Sequence, residues 1–300
     1  MTDRVPSDTT PSSSSPAGHG WDLLLDGIDF GEGPRWHLGR LWFSDFYQGT
    51  ISSVGHDGTR RVEVAWDGRP SGLGWLPDGR LLFVSMLDQR VMRVETDGSI
   101  VEHADLEGIA TGPCNDMVVG RLGNAYVGNF GFDFERGGRF ATATLAIVWA
   151  DGTVTAAADG LAFPNGSVIT DDGSTLIVGE TMGARYTAFT ITADRGLTDR
   201  RTWAEVPGTA PDGCAIDAEQ AIWFSDARGA QVVRVREGGE VTDRIATPGN
   251  TYACMLGGPD GDTLFALTAA DAHPDVVAGT ATGALWSRRV PVARHPDSRP

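Results

Sequence analysis

Lysine is missing from this chain of 300 residues: all 24 basic residues are Arg. Neither a lysine Schiff base nor the lysine of a phosphate-binding P-loop is therefore available. Cysteine is scarce. Cys114, Cys214 and Cys254 are an odd number with no C-x-x-C spacing, which excludes a self-contained disulfide framework and fits a reduced, cytoplasmic setting. The six histidines (His19, His37, His56, His103, His273, His295) form no H-x-H or H-E-x-x-H pair, and no G-x-S-x-G elbow occurs. A histidine-bound zinc and a serine triad are not expected. No stretch approaches the ~18 consecutive apolar residues that would span a bilayer. Positive charge is in deficit as well, 24 basic against 40 acidic residues leaving −16, a field that repels nucleic-acid phosphates and anionic headgroups. The acidic residues are scattered without an EF-hand loop pattern and read as a solvated surface. What remains is a small-molecule partner, with neither nucleic acid nor membrane; the oligomeric state is not set by the sequence.

Glycine, by contrast, is plentiful at 40 residues, which favours short elements and tight turns. One pattern recurs six times, a turn followed by an apolar strand ending in a small or polar residue. The copies are Leu41–Asp45, Leu81–Ser85, Ala125–Asn129, Leu176–Glu180, Ile222–Asp226 and Leu264–Thr268, with starts 40, 44, 51, 46 and 42 residues apart. Short strands and Gly-rich turns at a period of about 40–50 are the signature of a propeller blade. The expected fold is all-β, a six-bladed β-propeller over 21–292, with a disordered Ser/Pro/Thr-rich tail at 1–20 and a C-terminal tail at 293–300. Trp21–Leu25 is placed to pair near Leu285–Trp286, closing the ring and leaving no open sheet edge. A pair of β-sandwiches would share the composition but does not require a recurring unit.

Upstream of four of these strands stands an oxygen-bearing side chain: Glu32, Asn115, Asn165 and Asp212, at offsets of 9, 10, 11 and 10 residues. At equivalent places in the repeat they reach one end of one central channel. The other two blades offer Ser71-Gly72 and Ala253-Cys254 at this level, leaving gaps for a substrate. Two carboxylates and two carboxamides, with no imidazole or thiolate, suit a hard divalent cation. Asn and Asp beside Gly or Pro also build turns, and any one of the four alone would be read that way. Cys114 and Cys214, which neighbour two of these positions, are expected to pack as small hydrophobes.

Taken together, GEGPRW, CNDMVV followed by AYVGNFG, FPNGSVIT, and PDGCAID with IWFSD resemble the senescence-marker-protein-30 (regucalcin) / gluconolactonase / luciferin-regenerating-enzyme family. The likeness runs from Trp21 to about Val290. It implies a six-bladed propeller with one divalent metal in the channel, held by Glu32, Asn115, Asn165 and Asp212, and a catalytic role for Asp212 in assisting water attack. The implied activity is a metal-dependent hydrolase that opens a lactone or related cyclic ester. Ca²⁺ is the foremost ion, with Zn²⁺, Mg²⁺ and Mn²⁺ also acceptable to such a site. An isomerase, lyase or phosphotriesterase on the same floor, or a non-catalytic binding propeller, are the alternatives. Pro113 stands where sugar-lactonase members place an arginine, which puts sugar specificity in question. The stretch Asn129–Asp133 with Phe134 and Phe140 marks an aromatic loop near the mouth; Asn129 and Asp133 are expected substrate contacts, as is His273 in Asp-Ala-His-Pro, the one histidine that a loop is expected to bring there as a base.

Overall fold

The computed structural model describes residues 20–296. The stretch expected as an N-terminal tail lies, up to residue 19, outside the described residues, as do 297–300. Six four-stranded antiparallel sheets follow one another along the chain and form a six-bladed β-propeller. The innermost strands are Gly31–His37, Pro70–Trp75, Cys114–Val119, Pro164–Ile169, Pro211–Ile216 and Thr251–Gly257. Each of the six recurring segments found in the sequence is the second strand of its sheet. Their apolar residues, Phe43, Phe83, Val127, Ile177, Phe224 and Phe265 among them, are buried between neighbouring blades, where a full burial contributes about 1.5–3 kcal/mol per side chain.

Ring closure follows the expected pairing. Asp22–Ile28 lies antiparallel to Gly283–Arg289, with Leu23 opposite Trp286 and Leu25 opposite Leu285. The first strand of the chain is thus the outermost strand of the sixth blade, and the Trp21 indole N–H donates to Ala246 O at 2.8 Å. At the other terminus Ala293 O accepts from Ala218 N and Arg294 N donates to Gly261 O, both at 2.9 Å. The start of the stretch expected as a C-terminal tail is therefore tied to the propeller. Among the described residues the α-helix Pro274–Val277 is four residues long, and no helix is long and apolar enough to cross a membrane.

Two local devices place the channel side chains. Every innermost strand carries one extra residue against its neighbour, close to the channel position. Glu32 to Arg35 faces Ser44 to Trp42, Cys114 to Met117 faces Asn129 to Val127, and Pro211 to Cys214 faces Asp226 to Phe224. The other three blades show the same break. Such a bulge bends the strand and re-aims a side chain.

The polar residue that ends each second strand is the second device. Asp45 accepts from the N–H groups of Asp29 and Phe30 at 3.0 and 3.2 Å, Glu180 from Ala162 at 2.7 Å, and Asp226 from Ala210 at 2.9 Å. These side chains hold the segment that leads into the channel. Blade packing there leaves no room for a Cβ: one at Gly72 would meet Met117 N, one at Gly166 Asp212 O, and one at Gly213 Ala253 Cα at 2.7 Å.

The sixth blade corrects one expectation. Thr251 pairs with Thr268 as Gly31 pairs with Asp45, so the channel position is Tyr252, one residue before the expected Ala253-Cys254. The level is set by strand register, which a fixed offset along the sequence misses.

Candidate functional site

The channel opens at one end into a cavity of about 490 Å³ whose lining includes Glu32, Asn115, Asn165 and Asp212. All four are buried, and each comes from a different blade. Glu32 Oε2 accepts from the Gly33 N–H at 2.9 Å, and Asn115 Oδ1 from Ser71 Oγ at 3.4 Å. Asn165 is oriented by Thr181, whose hydroxyl accepts from Asn165 Nδ2 at 3.2 Å and donates to Pro211 O at 2.7 Å. With its N–H group so engaged, Asn165 Oδ1 has no hydrogen-bond partner, and neither has Asp212 Oδ1.

Both carboxyls are pushed well above the usual range. Burial is the main cause in each; Asp212 adds to it for Glu32, and Asp116 adds to it for Asp212. Charge of one sign is thus crowded at the floor. Beside it the buried Arg35 donates through Nη2 to Asp116 Oδ1 at 2.8 Å and Met117 O at 2.5 Å, and through Nη1 to Pro34 O at 2.8 Å. Arg35 is thus ion-paired with Asp116, and among the described residues neither Glu32 nor Asp212 has an ion pair of its own.

Among the described residues no group of three or more His, Cys, Asp and Glu side chains is placed to hold a metal ion; the floor here draws equally on carboxamides. The residues fit a hard divalent cation. They are all oxygen donors, two carry the compensating charge, and two oxygens are buried without partners. An unsatisfied buried acceptor costs about 1–3 kcal/mol, which an ion at this place would relieve. The cysteines take no part. Burial pushes the thiols of Cys114 and Cys254 up to about 12 and that of Cys214 well above its ordinary value, so none offers a thiolate at neutral pH.

The three expected substrate contacts separate. His273 lines the cavity. Its Nδ1 accepts from Asp275 N at 3.2 Å as the cap of the short helix, which leaves Nε2 free of that role. Asn129 is placed elsewhere. It is the third blade's strand-ending polar residue, accepting from Thr111 and Gly131 N–H groups at 3.4 and 3.0 Å and donating to Thr144 O at 2.8 Å. Its equivalence to Asp45 and Asp226 in the repeat was the signal for that backbone role. Asp133 is half exposed and accepts from Arg136 N at 3.2 Å; its neighbours Phe134 and Glu135 line the cavity instead. At Pro113 the carbonyl accepts from Phe130 N at 2.9 Å, and the residue brings no side-chain donor.

Sequence reasoning missed the walls. Phe30, Phe46, Met86, Phe163 and Tyr252 surround the floor, most of them from segments just before an innermost strand or just after a second strand. Thr181, the orienting residue of Asn165, follows directly on the fourth repeat segment. A separate cavity of about 250 Å³ between the third and fourth blades, lined by Arg121, Asp171 and Arg195, contains none of the floor residues.

The profile of the SMP-30/Gluconolactonase/LRE-like region matches residues 30–270. A pentonolactonase of Haloferax volcanii is 29% identical over 287 residues, covering 90% of this chain and 94% of its own. Among solved structures, a gluconolactonase of Xanthomonas campestris superposes with a TM-score of 0.72 at 25% identity, covering 90% of this chain and 88% of its own. The calcium-binding protein regucalcin of Agrobacterium tumefaciens superposes with a TM-score of 0.77 at 22% identity over 92% and 95%.

Proposed function

The chain belongs to the SMP-30/gluconolactonase/LRE-like family, and we propose that it is a divalent-cation-dependent hydrolase that opens a lactone or related cyclic ester. The observation that carries this reading is the pair of buried, unpartnered oxygens, Asn165 Oδ1 and Asp212 Oδ1, on a floor shared with Glu32 and Asn115. These four residues would hold the ion, Ca²⁺ foremost. When bound, such an ion polarises an ester carbonyl and stabilises the negative charge that develops on its oxygen. The two lactonase relatives support the reaction class.

The chain's own residues supply the rest. Asp212 is the general base: its carboxylate takes a proton from the attacking water, the new C–O bond forms at the carbonyl carbon, and the ring C–O bond breaks. The released alkoxide takes up a proton and leaves as the hydroxyl of a hydroxy acid. Thr181 engages the Asn165 amide nitrogen and leaves its oxygen without a hydrogen bond. The aromatic walls exclude bulk water, which strengthens electrostatic interactions inside.

The test is base uptake in a pH-stat by the purified protein on a panel of γ- and δ-lactones, before and after chelation and on return of Ca²⁺, with Asp212→Asn in parallel. Turnover that chelation abolishes and Ca²⁺ restores is expected, with a loss of about 10²-fold or more in Asp212→Asn. Turnover indifferent to both chelation and Asp212→Asn would refute the proposal. The presence of His273 on the cavity wall favours one second reading, a lyase or isomerase using it as a second proton-transfer group; a protein that binds the cation but opens no lactone would favour that chemistry.

A further inference from the structure

We infer that the ring opened here carries an apolar alkyl or aryl substituent and not a run of hydroxyls, a substrate class that rests on the lactonase reading above. The cavity is divided by chemistry. Its floor is polar, and above it stand Phe30, Phe46, Met86, Phe130, Phe163 and Tyr252. Their faces are held in place by one another: Phe130 stacks on Phe163 with centroids 4.3 Å apart, and Phe30 packs against Tyr252 at 4.8 Å and Phe46 at 5.2 Å. A wall already assembled loses little freedom when a ligand arrives.

Several polar groups of the wall are already engaged, while Arg228, Asp271 and His273 stand at its edge. Tyr47 OH donates to Ala272 O at 2.7 Å, and Asn250 Nδ2 donates to Ala270 O at 3.0 Å. The Thr181 hydroxyl is used by Asn165 and Pro211. Glu135 is ion-paired with Arg69, whose guanidinium lies 5.0 Å over the Tyr47 ring. A polyhydroxylated ring with its ester at the floor would set the hydroxyls that face these six side chains against carbon, each one left unpaired weakening binding by about tenfold or more. An alkyl or aryl group meets no such penalty, and about 490 Å³ accommodates a lactone ring with a substituent of that kind.

Phe163 adds an independent sign. It holds a left-handed backbone, φ 63°, two residues before Asn165. A non-glycine residue keeps such a conformation only where its surroundings over-determine it, and here the result is an aromatic face set over the floor. The substrate class departs from the sugar lactones after which the two lactonase relatives are named.

The experiment compares kcat/KM of the Ca²⁺-loaded full chain for γ-phenyl-γ-butyrolactone and for a pentono-1,4-lactone, which share the five-membered ring. Phe163→Ser and the rim variant Phe134→Ser are run in parallel. Phe134 is 43% exposed, so its replacement keeps the test open should Phe163→Ser fail to fold. The expected result is at least a 10²-fold preference for the phenyl lactone, reduced about tenfold or more by Phe163→Ser and in the same direction by Phe134→Ser. Equal or faster turnover of the pentonolactone, or variants that slow both substrates alike, would overturn the inference while leaving the lactonase reading intact. Turnover of neither would sink the lactonase reading instead. The substrate class is then read by calorimetry with the corresponding phenyl and polyhydroxylated γ-lactams, where tighter binding of the phenyl lactam supports it and tighter binding of the hydroxylated one refutes it.

Discussion

Replacing Arg35 by Met tests the electrostatic account of the channel most directly. The long apolar stem is retained, so little packing is lost, and what disappears is a guanidinium making three charge-assisted hydrogen bonds to Asp116, Met117 O and Pro34 O. Asp116 is left with the Met117 N–H at 2.8 Å as its hydrogen-bond donor, in a place that excludes water. Breaking a buried pair from one side costs about 3–5 kcal/mol, and the two abandoned carbonyls act in the same direction. For a protein whose stability lies in the range of about 5–15 kcal/mol, that is about a fifth or more of the total. With roughly 3 kcal/mol/M for urea in a chain of this size, the midpoint falls by about 1–1.7 M. The assay is urea unfolding followed by tryptophan fluorescence in chelated buffer, alongside the double variant Arg35→Met/Asp116→Leu. Removing the carboxylate as well takes away the uncompensated charge, so the double variant is expected to regain most of the loss. Arg35→Met within about 0.5 kcal/mol of the parent, or a double variant as unstable as the sum of its singles, would refute the reasoning.

Two shorter predictions concern the floor itself. Because burial raises the Glu32 and Asp212 carboxyls, the cation-free native state binds more protons than the unfolded state above about pH 4, and this contribution to stability is lost as pH rises. Glu32→Gln is therefore expected to melt above the parent in chelated buffer by a margin that widens with pH, and to lose the rise in Tm on adding Ca²⁺; a margin independent of pH in differential scanning fluorimetry would contradict this. Thr181→Val keeps the shape but releases the Asn165 amide, so calorimetry is expected to show Ca²⁺ binding weakened about 10- to 100-fold, with Thr181→Ser close to the parent. Unchanged affinity in the valine variant would show that the hydroxyl does not orient Asn165.

The architecture was legible because the repeat encodes it physically. Each copy is an apolar strand that must be buried on both faces, preceded by a turn that reverses the chain, and six such copies leave few arrangements other than a closed ring. The strand containing Leu23 and Leu25 was legible as its closure for the same reason, since unpaired it would expose an edge. The channel level was legible only approximately. The chain between channel position and second strand is longer in the sixth blade than in the others, so an offset counted along the sequence gives Ala253 where the register gives Tyr252. In a strand a slip of one residue reverses the direction of the side chain. Asn129 shows the converse error. Its place at the end of a repeat segment marked it, with Asp45 and Asp226, as an acceptor for backbone N–H groups, and reading it apart from the repeat made it a substrate contact. Most of the wall left no pattern, because Phe30, Met86 and Phe163 come from three different blades and from segments outside the strands, where side-chain direction follows no period.

That distribution has a consequence for how the floor is held. Glu32, Asn115, Asn165 and Asp212 belong to the first, third, fourth and fifth blades, and no two share a sheet. Their separations are therefore fixed by blade-to-blade packing at the channel, where Gly72, Gly166 and Gly213 let one innermost strand rest on the backbone of the next. A Cβ at Gly166 would press on Asp212 O and so change the distance between two of the four oxygens without touching either side chain. The same reasoning extends to the outermost strand of the sixth blade. Asp22–Ile28 contributes no residue to the cavity, yet it completes the sheet whose inner strand separates the fifth blade from the first, and with them Asp212 from Glu32. The shared placement of these four side chains on one cavity floor thus depends on ring closure, and the stability of the propeller and the geometry of its floor are linked.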